Sequence, residues 1–120
     1  MNKIIKLEIY PFDIMFSFNE SDKKLFKKLK KLKIPKKEIK NCKLDSNGLY
    51  LRFTNNTSLI RLPWIPKSSY EISILTHEVL HAVISIFRVI DLPLSYKSEE
   101  AYTYLLDFII NKILTYINKE

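Results

Sequence analysis

The 120-residue chain has two histidines, four positions apart with a glutamate between them, in the segment His77-Glu78-Val79-Leu80-His81. Residues four apart on a helix project from one face, one turn above the other. Two imidazoles so placed can share one zinc ion at about 2.0–2.1 Å each. Glu78 stands beside the pair, where its carboxylate can take a proton from a water that the metal acidifies. That chemistry is hydrolysis. The ordinary alternative is a pair of core histidines, but ring nitrogens in so apolar a segment need partners, and a metal supplies one to each.

A zinc site of this kind needs a third protein ligand. Cys42 is the one cysteine, a soft candidate ligand read as lying on a strand edge, where an isolated thiol is more often inert. Glu99 and Glu100 are better placed, since they open a helix after the short proline-containing turn Asp91-Leu92-Pro93-Leu94-Ser95. A helical hairpin of this size could bring one of them back against the histidines, although carboxylates in a first turn also serve simply to complement the helix dipole. Periodicity leaves Glu99 and Glu100 equal. Tyr102 or Tyr104 is a candidate donor to an oxyanion, and Asp107 a candidate to orient a histidine through its free ring nitrogen.

These residues need a frame. Ser68 with Glu71 three positions on reads as a capping box, opening a helix to about Ile90 that is apolar on most of its circumference. Such a helix belongs inside a fold, covered on more than one side. A last helix starts at Ser95 or Ser98 and runs to about Asn118. Upstream, Ile5, Leu7 and Ile9 alternate with polar residues and are expected on one face of a strand, with a second run, Ile14–Phe18, after Pro11. Asn47-Gly48 predicts a hairpin turn, Leu49–Phe53 alternates cleanly, and Asn55-Asn56 turns the chain into Ser58–Trp64. Between these strands, Ser21 or Asp22 caps a lysine-rich amphipathic helix ending near Ile34, before Pro35.

Composition narrows the classes. Hydrophobic residues make up 47%, enough for one real core, so the expectation is a single domain over 1–120: strands and the lysine-rich helix in 1–66, the metal-binding and third-ligand helices in 67–120. One glycine excludes glycine-rich phosphate cradles, and one cysteine excludes an internal disulfide and a thiolate zinc cluster. The N-terminus, with Lys6 and Glu8 inside its apolar run, does not read as a signal peptide. The most apolar helix carries Glu78, both histidines and Arg88, which makes a bilayer span expensive; a cytoplasmic protein is expected. Of the +7 net charge, Lys23–Lys43 holds eleven lysines against Glu38 alone. A face of that kind attracts nucleic acid or another anionic surface, but the lysines alternate with an ordinary apolar stripe, Leu25, Phe26, Leu29 and Leu32. Nucleic acid is therefore not the favoured partner.

The segment His77-Glu-Val-Leu-His-Ala-Val83 with Ser98-Glu-Glu-Ala-Tyr-Thr-Tyr-Leu105 resembles the gluzincin class of zinc peptidases. More closely, it is similar to small metallopeptidase-like proteins of bacteriophages and prophages. The resemblance covers roughly residues 58–118. It implies a minimal zincin-like α+β fold: a small, mostly antiparallel sheet, a buried metal-binding helix and a C-terminal helix supplying the third ligand. In that family the glutamate directly before the alanine recurs, which singles out Glu100 and implies the ligand set His77, His81 and Glu100. If phage-encoded, the protein acts in the cytoplasm of a bacterial host. The helix departs from the pattern in lacking the glycines and polar residues often seen beyond the second histidine.

The expected function is zinc-dependent hydrolysis of a peptide or protein, with Glu78 as the base and the strand Ser58–Leu62 as the edge on which an extended substrate pairs. A homodimer could supply missing walls. Two alternatives stand beside it: a non-catalytic zinc-binding accessory protein, and a basic nucleic-acid or anionic-surface binder acting through Lys23–Lys43.

Overall fold

Every residue from Ile14 to Phe18 is buried, although side chains along a strand alternate between two faces. Both faces of that strand must therefore be covered. The computed structural model describes residues 1–119 and shows how. Two strands, β1 (Asn2–Leu7) and β2 (Phe12–Phe18), lead into helix α1 (Asp22–Lys31), a single turn α2 (Lys36–Ile39) and a 3-10 turn (Lys40–Cys42). Strands β3 (Leu49–Arg52) and β4 (Thr57–Leu62) follow, then the long helices α3 (Ser69–Val89) and α4 (Glu99–Asn118). The fold is α+β.

The sheet runs in the order β1-β2-β4-β3. It is mixed: β1–β2 and β3–β4 are antiparallel, and β2–β4 is parallel. Phe12, Ile14, Phe16 and Phe18 of β2, with Ile60 and Leu62 of β4, face α3 and α4. Met15 and Leu59 face the opposite way, onto Leu25, Leu29, Ile39 and Cys42 of the lysine-rich region. The sheet is thus the middle layer of three. Burial of the large apolar side chains, each contributing about 1.5–3 kcal/mol, fixes the register, because a slip of one residue would exchange the two faces.

Local signals explain most elements. The Ser21 hydroxyl accepts the Lys24 N–H at the start of α1. Ser68 and Glu71 form both bonds of the capping box at the start of α3. Ser98 caps α4 without a side-chain bond to the helix; its hydroxyl instead donates to the Pro93 carbonyl at 2.6 Å and accepts the Ser95 N–H at 2.8 Å, closing the turn between the long helices. Beneath the lysine-rich region, the buried Arg61 guanidinium donates to Asp22 (2.6 Å), to the Cys42 carbonyl (2.7 Å) and to the Glu20 carbonyl (2.8 Å). It fastens the start of α1 and the 3-10 turn to β4.

Several expectations are corrected. Ile9 is 87% exposed, because β1 ends at Leu7 and the chain turns there. Asn47-Gly48 makes no hairpin: the residues before it form no strand, and the hairpin turn lies at Asn55-Asn56, where Asn56 adopts a positive φ of 65°. The short helical segment after Pro35 was not read from the sequence. Strand β4 is no edge, since β2 and β3 flank it; β3 is the edge on that side. By length and composition α3 could cross a membrane, with a mean hydropathy of 1.5; here its stripe Leu75, Val79, Ala82, Val83, Ile86 and Phe87 lies in the core.

Candidate metal centre

The capping box starts α3 so that a definite set of residues faces the sheet. Each residue turns the helix by about 100°, so with Val79, Ala82 and Val83 inward, His77 and His81 fall outward. Both imidazoles are exposed, His77 with two-thirds of its side chain accessible. This corrects the expectation of a helix covered on most sides: α3 is buried along one stripe only, and Leu80 next to the pair is also exposed. Periodicity shows how much of a helix is apolar but not how many neighbours cover it.

The two Nε2 atoms lie 3.2 Å apart, with the rings nearly perpendicular at 79°. Nitrogens each about 2.0–2.1 Å from a tetrahedral zinc stand about 3.3 Å apart, so the pair fits a shared ion. Glu78 completes the group: one ligand atom from each of His77, Glu78 and His81 lies within 4.8 Å of the others. Its Oε1 is 4.0 Å from His77 Nε2, beyond the ligand–ligand spacing of such a tetrahedron. That separation suits a proton acceptor beside the ligand set better than a member of it.

Glu78 differs from the histidines in burial. It is 7% exposed, and its Oε2 has no hydrogen-bond partner. An unpartnered buried oxygen normally costs about 1–3 kcal/mol, and more when charged, so its retention points to use by something outside the chain. What covers it is β3. Gly48, just before the strand, lies against Glu78 and Tyr50 faces α3, while Leu51 and, just past the strand, Phe53 join the opposite core. The Tyr50 ring stacks beside His81 at 6.1 Å between centroids, and its hydroxyl is 2.9 Å from Ser58 Oγ. Sequence reasoning did not single out Tyr50. The clean alternation of β3 placed it on a face but not which face.

Other sequence candidates lie elsewhere. Glu99 and Glu100 are exposed in the first turn of α4 and do not belong to the group. The turn Ile90–Ser98 sets the start of α4 beside the end of α3, where the rings of Phe87 and Tyr102 are 4.5 Å apart. His81 is six residues before Phe87, about 9 Å along the helix, and His77 about 15 Å, so the carboxylates stand beside the wrong turn of α3. Tyr102 is committed to the Leu92 carbonyl at 2.6 Å, while Tyr104 and Asp107 are exposed on α4. Cys42 is buried on the other side of the sheet, not on a strand edge; burial raises its thiol pKa to about 11. A cavity of about 320 Å³ opens further along α3, lined by Ile84, Phe87, Arg88, Leu92, Leu94 and Tyr102, and includes none of His77, Glu78 and His81.

Comparison with protein families, with curated proteins and with solved structures finds no match for this chain.

Proposed function

We propose that the protein is a zinc-dependent hydrolase of the metallopeptidase kind, acting on a peptide or protein. The carrying observation is the placement of the two Nε2 atoms 3.2 Å apart, with the unpartnered, buried carboxylate of Glu78 beside them. His77 and His81 hold the ion. Zinc, when bound, lowers the pKa of a water and polarises the scissile carbonyl. Glu78 takes the water's proton and returns it to the leaving amine. Tyr50 walls the site on the His81 side. An extended substrate pairs along β3, the edge strand beside the histidines, a mode in which main-chain hydrogen bonds supply the affinity.

A second reading is a zinc site without turnover that serves contact with another molecule. The exposure of both imidazoles favours it, as does the make-up of the group, in which Glu78 is, among the described residues, the one side chain placed to close the coordination beside the histidines. One experiment separates the two. Protein purified without added zinc is assayed for metal and for cleavage of a peptide library, as wild type and as Glu78→Gln. The hydrolase reading requires one zinc per chain in both proteins and cleavage by the wild type alone. Equal cleavage by both removes Glu78 as the base; zinc without cleavage in either supports the second reading.

A further inference from the structure

The chain spends its one glycine where the backbone does not ask for it. Among the described residues, four adopt the left-handed conformation that favours glycine, and all four are something else: Asn19, Lys33, Asn56 and Asp91. Gly48 has no positive φ. Its peptide lies instead against α3, where a Cβ would stand 3.1 Å from Glu78 Cγ, 3.2 Å from Glu78 Cδ and 3.2 Å from Ile74 Cγ2. Contacts that short force the neighbour to move. Ile74 is packed against the core, whereas the Glu78 side chain has more rotatable bonds through which to give way.

We propose that Gly48 is a positioning residue for Glu78: with no side chain at 48, the carboxylate lies under the start of β3 beside the histidine pair. A methyl group there displaces it by a few tenths of an ångström. The role rests on the reading of Glu78 as the base, but the contact is independent of that reading. It also gives the last residue before β3 a task that no turn requires. Gly48 and Glu78 are 30 positions apart, on elements that meet only in the folded chain.

The test uses Gly48→Ala, Glu78→Gln and the double variant. In metal-free wild type, NMR should show nuclear Overhauser contacts between the Gly48 α-protons and the Glu78 γ-protons, with the latter shielded from a water-soluble paramagnetic probe. In Gly48→Ala the probe effect at Glu78 should rise measurably above the wild-type value. Zinc content should stay at the wild-type value, kcat should fall by about 3- to 10-fold with KM little changed, and the double variant should be no slower than Glu78→Gln alone. Unchanged shielding of Glu78 in Gly48→Ala, or an unchanged kcat, overturns the proposal. If Gly48→Ala does not fold, absence of the wild-type contacts overturns it and their presence supports it. If the wild type holds zinc but cleaves nothing, the hydrolase reading has failed, and shielding alone decides the role of Gly48.

Discussion

The Nε2 atoms of His77 and His81 face each other at 3.2 Å on the solvent side of α3, while Glu78 between them in sequence points inward to the glycine ahead of β3. Without metal, that distance lets one imidazole donate a hydrogen bond to the other; with metal, both lone pairs converge on the ion. The helix thus presents a preformed pair. Zinc that binds the folded chain and not the unfolded one stabilises it by RT ln(1 + [Zn]/Kd), about 2.7 kcal/mol at a hundredfold excess over Kd. The expected outcome is a zinc-dependent rise of several degrees in Tm that is absent from the double variant His77→Ala, His81→Ala. An equal rise in that variant would place the metal elsewhere.

The orphaned Oε2 of Glu78 carries a second expectation. Replacing a buried, unsatisfied polar group by an apolar one of similar shape is often stabilising, and residues kept for chemistry commonly hold this kind of unused stability. Glu78→Met should make the metal-free protein more stable by about 1–2 kcal/mol in urea unfolding, and under the proposed function it should leave no hydrolysis. A loss of stability would mean that Glu78 serves the fold, and its assignment as the base would lose its main structural support.

The sequence disclosed the parts of this arrangement that depend on neighbours along the chain. Ser68 and Glu71 announce the start of α3, and the i, i+4 histidines announce a shared face, because helix geometry alone decides both. Parts decided by distant packing stayed hidden. Asn47-Gly48 carries the composition of a hairpin, yet its glycine answers to a side chain 30 residues away. Ser58–Leu62 precedes the histidine helix and is expected as an edge strand, and only the parallel pairing with β2 makes it an inner one. Glu99 and Glu100 have the right chemistry for a ligand, but the turn before them places α4 against the end of α3, far from His77. Composition can suggest that two segments should meet; the length and path of the connection decide where they do.

Arg61 provides the strongest test of the fold itself. It is 1% exposed and bonds to Asp22 and to the carbonyls of Cys42 and Glu20. Arg61→Met keeps the bulk and removes the charge, leaving the Cys42 and Glu20 carbonyls without this donor and the partly exposed Asp22 carboxylate with the Leu44 N–H; about 1–3 kcal/mol of stability should be lost. Acid should act on the same region. The Arg61 hydrogen bond holds the Asp22 carboxyl below its ordinary range. For Glu20, burial works to raise the pKa, but hydrogen bonds from Ser17 and Asn2, with the N-terminal amine and Lys24, outweigh it and hold it low. Groups whose pKa is lowered by folding contribute stability in full above their unfolded values, near 4.5 for Glu20 and 3.8 for Asp22, and lose it as pH falls through the lower folded ones. Unfolding followed from pH 6 to 2 should show stability declining below about pH 4.5, with the Asp22 part of the decline missing in Arg61→Met.

Cys42 lies across the sheet from the candidate metal centre. Its thiol is fully buried under Leu25 and Leu29, and its Sγ lies 3.5 Å from the Glu38 carbonyl, an arrangement within hydrogen-bonding reach for sulfur. With a pKa of about 11, roughly one molecule in a thousand carries the thiolate at pH 8, and the thiolate is the form that attacks reagents and binds zinc. The native protein should therefore react with a thiol-specific reagent at pH 8 only as fast as it opens, and adding denaturant should bring the reaction to completion. Cys42→Ser should leave zinc content and its dependence on His77 and His81 unchanged. Loss of zinc in that variant would show that sulfur takes part in the site and that the chain can bring both sides of its sheet to one ion, which the layered packing forbids.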